Sequence, residues 1–138
     1  MNNRPSWHHY FLEMAFLASQ RSTCLRRKVG AIIVKDYQIV ATGYNGAPKG
    51  MPHCIDEGCI IKNDHCIRVM HAEQNALLQA GKDAKGATMY CTCLPCFICY
   101  KLCIQAGIKK IIYIDDYNKH DLFYWIEHGG IELIKWKD

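Results

Sequence analysis

In the second half of the chain, strand-like and helix-like stretches take turns. Ala87 to Cys93, Lys110 to Ile114 and Ile131 to Trp136 read as strands. Helical patterns from Pro95 to Gly107 and from Leu122 to His128 separate them. Strands that alternate with helices pair in parallel, because a crossover helix returns the chain to the sheet in the same direction. Such crossovers are right-handed. The C-terminal half is therefore constrained to a parallel sheet covered by helices.

The first half adds an antiparallel part. Trp7 to Arg21 reads as an amphipathic helix, with Trp7, Tyr10, Phe11, Met14, Leu17 and Ala18 near helical spacing. Val29 to Val34 and Ile39 to Tyr44 flank the polar turn Lys35-Asp36-Tyr37-Gln38, which predicts a hairpin. His71 to Ala80 reads as a helix ended by Gly81, and Pro95 is expected at the first position of its own helix. The order α-β-β-α-β-α-β-α-β predicts an α/β fold: a three-layer α/β/α sandwich around a five-stranded mixed sheet. No repeat or linker divides the chain, and 138 residues suffice for one domain over residues 1–138.

Nine cysteines stand out. The number is odd, and the start, Met1 to His9, carries no apolar signal core. A secreted disulfide framework is not expected; a reducing, cytoplasmic setting is, and there clustered cysteines hold metal. No apolar run reaches the ~18–20 residues of a membrane span, so no membrane partner is expected. Seventeen basic and 13 acidic residues give a net charge of +4. That suits a small anionic ligand and is too weak by itself to argue for nucleic acid.

The sharpest chemical signal is His71-Ala72-Glu73 followed by Pro95-Cys96-Phe97-Ile98-Cys99. This H-x-E and P-C-x-x-C pair is the signature of zinc deaminases. Cys96 and Cys99 share a face at a helix start, where the helix dipole favours thiolates. At the first turn of the other helix, His71 and Glu73 both reach a site beyond its end. His71, Cys96 and Cys99 make three protein ligands for a catalytic zinc, leaving the fourth position open for water. Zinc brings the pKa of such a water to about 7. Glu73 is the proton shuttle and not a ligand. Cys91 and Cys93 alternate along a strand, point to one face and read as small core residues; Cys103 reads as core.

Asn45 to Met70 is irregular and holds further soft ligands. Cys24, Cys54, Cys59 and His65 form the preferred set for a second, structural zinc, with Cys66 as a substitute for Cys59. Adjacent His65 and Cys66 are not expected to bind together. Arg21, Arg26, Arg27 and Lys28 form a basic cluster suited to a phosphate or to a solvated helix end. Asn45, Ala72 and Arg26 are the candidate substrate contacts, Asn45 toward a sugar.

These residues resemble the deoxycytidylate (dCMP) deaminase family, including its late-competence-type members in bacteria and phages. The likeness rests on Arg21-Ser22-Thr23-Cys24, Val29-Gly30-Ala31, Gly43-Tyr44-Asn45-Gly46, Glu57-Gly58-Cys59, His65-Cys66, His71-Ala72-Glu73-Gln74-Asn75-Ala76, Pro95-Cys96 with Cys99, and Gln105-Ala106-Gly107-Ile108-Lys109. It implies the cytidine-deaminase fold and hydrolysis of dCMP to dUMP and ammonia, feeding thymidylate synthesis. It implies zinc ligands at His71, Cys96 and Cys99, a proton shuttle at Glu73, a sugar contact at Asn45, and second-zinc ligands at Cys24 and Cys54. It further implies a homohexamer controlled by dCTP and dTTP, with Mg2+ accompanying the triphosphate. The effector residues would be Gly43, Tyr44, Gly46, Pro48 and Gly50. Cysteines at 91 and 93 depart from the family pattern.

Other classes share the zinc motif. A nucleic-acid (tRNA-type) deaminase needs a broad basic surface, which +4 does not supply. A free-nucleoside deaminase differs only in the phosphate pocket. A non-enzymatic zinc-binding interaction protein has no use for Glu73.

Overall fold

The computed structural model describes residues 3–117, 119 and 121–137. The elements follow in the order α1 (Trp7–Ser19), β1 (Gly30–Lys35), β2 (Gln38–Tyr44), α2 (Cys54–Glu57), β3 (Ile61–Lys62), β4 (His65–Cys66), α3 (Ala72–Ala80), β5 (Thr88–Cys93), α4 (Phe97–Ala106), β6 (Lys110–Asp115), α5 (Phe123–His128) and β7 (Glu132–Lys135). Five strands form one sheet in the order β2-β1-β5-β6-β7. β1 is antiparallel to β2 and to β5, while β5, β6 and β7 run parallel. The mixed sheet and its three layers match the expected fold.

The layers follow from the two-residue period of strands. Ala31 and Ile33 of β1, Met89 and Cys91 of β5, and Ile111 and Tyr113 of β6 face a core shared with α3 and α4. Ile32, Val34, Tyr90 and Ile112 face the other way, onto Phe11, Leu12 and Ala15 of α1. Each fully buried branched or aromatic side chain contributes roughly 1.5–3 kcal/mol. The β1–β2 hairpin turns through Asp36 and Tyr37, both at positive φ (51° and 62°), as a tight hairpin requires.

Several local readings are corrected. The buried stripe of α1 is Phe11, Leu12, Ala15 and Ser19; Leu17 is exposed, because the sheet sits one step around the helix from the sequence estimate. Pro95 precedes α4 rather than opening it, since extended Cys96 takes the N-cap. The irregular stretch contains α2 and the small β3–β4 ribbon, which turns through Asn63 and Asp64 at φ 50° and 65°. No helix among the described residues is long and apolar enough to cross a membrane.

Candidate active site

Two helix starts converge at the C-terminal end of β5. His71 is the N-cap of α3, and its backbone N–H donates to Gln74 Oε1 at 2.8 Å. Cys96 is the N-cap of α4, which places Cys99 one turn on. His71 Nδ1 lies 3.5 Å from Cys96 Sγ and 3.2 Å from Cys99 Sγ. The three donor atoms all fall within 4.8 Å of one another. One imidazole and two sulfurs at that spacing form a donor set that fits a zinc ion with one position left open.

The surroundings favour charge separation. A hydrogen bond from the Cys99 thiol, and then contact with His71, pushes Cys96 down to about 4 against the opposing effect of burial. The same bond pushes the Cys99 thiol up, and burial adds to it. The Cys96 contact in turn holds His71 above the ordinary histidine value. Glu73, in the first turn of α3, is 5% exposed. Burial pushes its carboxyl up to about 7, with His71 and Arg27 pulling the other way. A carboxyl near 7 both accepts and returns a proton at neutral pH.

A pocket of about 360 Å³ opens onto these groups. Asn45, Ala72 and Arg26 line it, as does Arg27. Asn45 is buried, and its amide is already engaged: Oδ1 accepts from the Val29 N–H at 2.9 Å and Nδ2 donates to the Arg27 carbonyl at 2.7 Å. One N–H and one lone pair remain for a ligand. Arg26 turns to the ribbon, donating to the Asp64 carbonyl at 3.1 Å.

Sequence reasoning missed Cys93. It does face the same side as Cys91, but it lies at the strand end and lines the pocket, whereas Cys91 and Cys103 pack in the core. Cys93 Sγ accepts from Arg27 Nη2 at 2.8 Å, and burial pushes the thiol up to about 11. The short polar partner of a basic residue was the missing signal, and no spacing rule supplies it.

A second sulfur group lies beside the pocket. The Sγ atoms of Cys24, Cys54 and Cys59 fall within 4.8 Å of one another. Cys66 Sγ lies 3.6 Å from Cys54 Sγ. Burial opposes ionisation of Cys66, but the backbone amides of Arg68 and Ile60 point at its sulfur and lower it to about 7. Burial and the neighbouring thiols push Cys54 up to about 12. His65 does not join this group: it is exposed on the ribbon and lines the pocket instead. Neighbouring residues of a strand alternate faces, so turning Cys66 toward Cys54 turns His65 away.

The stretch from Gly43 to Gly50 divides in two. Gly43 is buried under α3, where an added Cβ would meet Ala72 O at 2.2 Å, so its lack of a side chain serves packing. Gly46 pairs with Met70 through backbone hydrogen bonds, and Tyr44 lies under the Arg21 guanidinium at 5.7 Å. Pro48 and Gly50 are exposed, with Gly50 at φ 82°.

Comparison with known proteins agrees with this geometry. The family model for the cytidine and deoxycytidylate deaminase zinc-binding region matches residues 5–115. ComE operon protein 2 of Bacillus subtilis (strain 168) is 49% identical over 85% of this chain and 64% of its own length. Deoxycytidylate deaminase of Saccharomyces cerevisiae is 41% identical over 94% of this chain and 45% of its own. The chain thus spans less than two thirds of either relative. The dCMP deaminase of cyanophage S-TIM5, solved with dCMP and dUMP, superposes with a TM-score of 0.83 at 36% identity, covering 98% of this chain and 100% of that one. With the converging His71, Cys96 and Cys99 and the match over residues 5–115, the chain belongs to the zinc-binding cytidine and deoxycytidylate deaminase family.

Proposed function

We propose that this protein deaminates dCMP hydrolytically to dUMP and ammonia, with His71, Cys96 and Cys99 as zinc ligands and Glu73 as proton carrier. The observation that carries the reading is a buried Glu73 beside three donors within 4.8 Å, at the floor of a nucleotide-sized pocket. Bound zinc would supply Lewis acidity that makes water a nucleophile near neutral pH. The rest falls to the chain. Glu73 takes the proton of the attacking water, passes it to ring N3 as oxygen adds to C4, and then helps protonate the departing amine. Asn45 offers its spare N–H and lone pair to the sugar. Ala72 and Arg26 line the walls. The α3 and α4 starts aim positive dipole ends at the site and favour developing negative charge there.

A structural second zinc, held by Cys24, Cys54, Cys59 and Cys66, is supported by the four adjacent sulfurs and the amides aimed at Cys66. Exposed Phe16, Leu17 and Leu25 support assembly with further copies, and a hexamer is the assembly that the family likeness favours. The same likeness supports dCTP or dTTP with Mg2+ as an effector at Gly43, Tyr44, Gly46, Pro48 and Gly50, and a cytoplasmic setting for the enzyme.

The test is ammonia release by zinc-loaded protein offered dCMP, deoxycytidine or a short RNA, each with and without dCTP, dTTP and Mg2+. Turnover of dCMP above the other two is expected. Turnover of RNA alone would overturn the substrate assignment, and silence on all three would overturn the activity.

A further inference from the structure

A second cavity lies at the end of β1 and β5 remote from the zinc ligands. Register explains its place. Val34 of β1, Thr88 of β5 and Lys110 of β6 form one row across the sheet, and Ile32, Tyr90 and Ile112 form the next row on the same face. α1 covers that second row: the Phe11 ring lies 5.2 Å from that of Tyr90, and His8 Nδ1 lies 2.9 Å from the Tyr90 hydroxyl. The helix begins at Trp7, so the outer row is only partly roofed, and Thr88 and Lys110 stay half-buried. What remains is a space of about 270 Å³ with an aromatic wall of His8, Phe11, Tyr37 and Tyr90. Trp7 braces the wall, with its ring centre 5.6 Å from that of Phe11 and 4.9 Å from that of Tyr37.

The charge of the cavity is one-sided. Lys35, Lys109 and Lys110 line it against a single carboxylate, Asp36. Among the described residues neither Lys35 nor Lys109 forms a salt bridge. Lys110 has Glu132 at 3.8 Å, outside the lining, but that carboxylate is 63% exposed and largely screened. Like charges held together repel, and an anion between them removes that cost. The neighbouring groups feel the field. Burial, and then the Lys110 charge, hold His8 below its ordinary value. Burial, with Tyr37 nearby, pushes Tyr90 up to about 12, so its hydroxyl stays protonated and donates to a neutral His8.

Three ammonium groups against one carboxylate suit a phosphomonoester, which carries about −1.5 to −2 at neutral pH, better than a singly charged carboxylate. The aromatic wall suits a flat ring. We propose that this cavity is a second ligand site, which takes the phosphomonoester of a single flat ring, with the phosphate among Lys35, Lys109 and Lys110 and the ring against Tyr37 and Tyr90. β5 separates it from the catalytic pocket: Thr88 stands at one end and Cys93 at the other, about 16 Å apart at the roughly 3.3 Å rise of a strand. Such a ligand binds whether or not dCMP is the substrate.

Pyridoxal 5′-phosphate is the probe, since it joins a flat ring, a phosphomonoester and an aldehyde. The aldehyde carbon condenses with a lysine amine and loses water, and borohydride reduces the imine to a stable secondary amine. Peptide mass spectrometry of the zinc-loaded protein then reads which lysines are labelled. Lys35, Lys109 and Lys110 should be labelled at least about tenfold faster than exposed Lys62 and Lys82, because one charge-assisted contact is worth that much. Pyridoxal without the phosphate should show no such preference. Phenyl phosphate should protect these lysines at about a tenfold lower concentration than inorganic phosphate. Even labelling across the exposed lysines, the same preference with pyridoxal, or equal protection by inorganic phosphate would each overturn the assignment. As a second measurement, Lys35→Gln with Lys109→Gln should weaken calorimetric binding of phenyl phosphate about tenfold and leave kcat and KM for dCMP within about twofold. Unchanged binding, or turnover lost with it, would refute a separate site.

Discussion

Gly43 links the packing of the sheet to the chemistry of the site. It lies on β2 beneath the first turn of α3, the turn that carries His71 at its cap and Glu73. A Cβ there would meet Ala72 O at 2.2 Å and Ala76 N at 2.7 Å, both backbone atoms. Ordinary contact begins at 3.4 Å, so α3 must retreat by about 1 Å in Gly43→Ala. Overpacking of this kind costs about 1–3 kcal/mol. At this chain length each kcal/mol moves Tm by about 4 °C, so a drop of about 4–12 °C is expected. The retreat also carries His71 and Glu73 away from Cys96 and Cys99, and a 1 Å misplacement costs about a hundredfold in rate. The assay is dCMP turnover at saturating zinc together with a thermal melt. Gly86→Ala is the control: Gly86 has φ 76° and nothing within 4 Å of an added Cβ. It should lose about 1–2 kcal/mol from its backbone conformation and keep its kcat. A Gly43→Ala protein with wild-type Tm and wild-type turnover would refute the argument that α3 is seated on bare β2 backbone.

Three further outcomes follow from the structure. Cys66→Ser should lower the zinc content from two ions per chain to one, measured by atomic absorption, whereas His65→Ala should retain both; the reverse pattern would restore His65 as the ligand. Cys96→Ser should lose the catalytic zinc and dCMP turnover together, because a thiolate and not a hydroxyl completes the set. His8 sits against the Tyr90 hydroxyl at 2.9 Å, and burial, with Lys110 nearby, holds its pKa below 6.5. The unfolded chain therefore binds the His8 proton more readily, so this contribution is complete above pH 6.5 and is lost as pH falls below it. The Tm of His8→Gln should fall less than that of the wild type between pH 7.5 and pH 5.5, and parallel falls would count against the assignment.

The parts of the fold set by periodicity were legible in the sequence. The largely apolar runs of β1, β5 and β6 fit a sheet with a core on both faces, and the intervening helices announced parallel pairing. The His71, Cys96 and Cys99 group was legible because a metal demands fixed residue types near helix starts. What escaped depends on contacts between distant segments. The β3–β4 ribbon has only two residues per strand, too few for a period to show, so the choice between His65 and Cys66 waited on which way each pointed. Arg27 and Cys93 are joined across 66 positions of sequence, and neither alone differs from a surface arginine or a core thiol. The turn residues around Gly43 looked alike in the sequence, but only Gly43 is wanted for close packing against α3.

The central claim is that Glu73 moves protons and does not hold the metal. The most direct measurement pairs zinc stoichiometry with ammonia release from dCMP in the wild type and in Glu73→Gln. The account predicts equal zinc in both and a fall in kcat of at least about a hundredfold in the variant. Loss of zinc from Glu73→Gln, or turnover by that variant close to wild type, would contradict it.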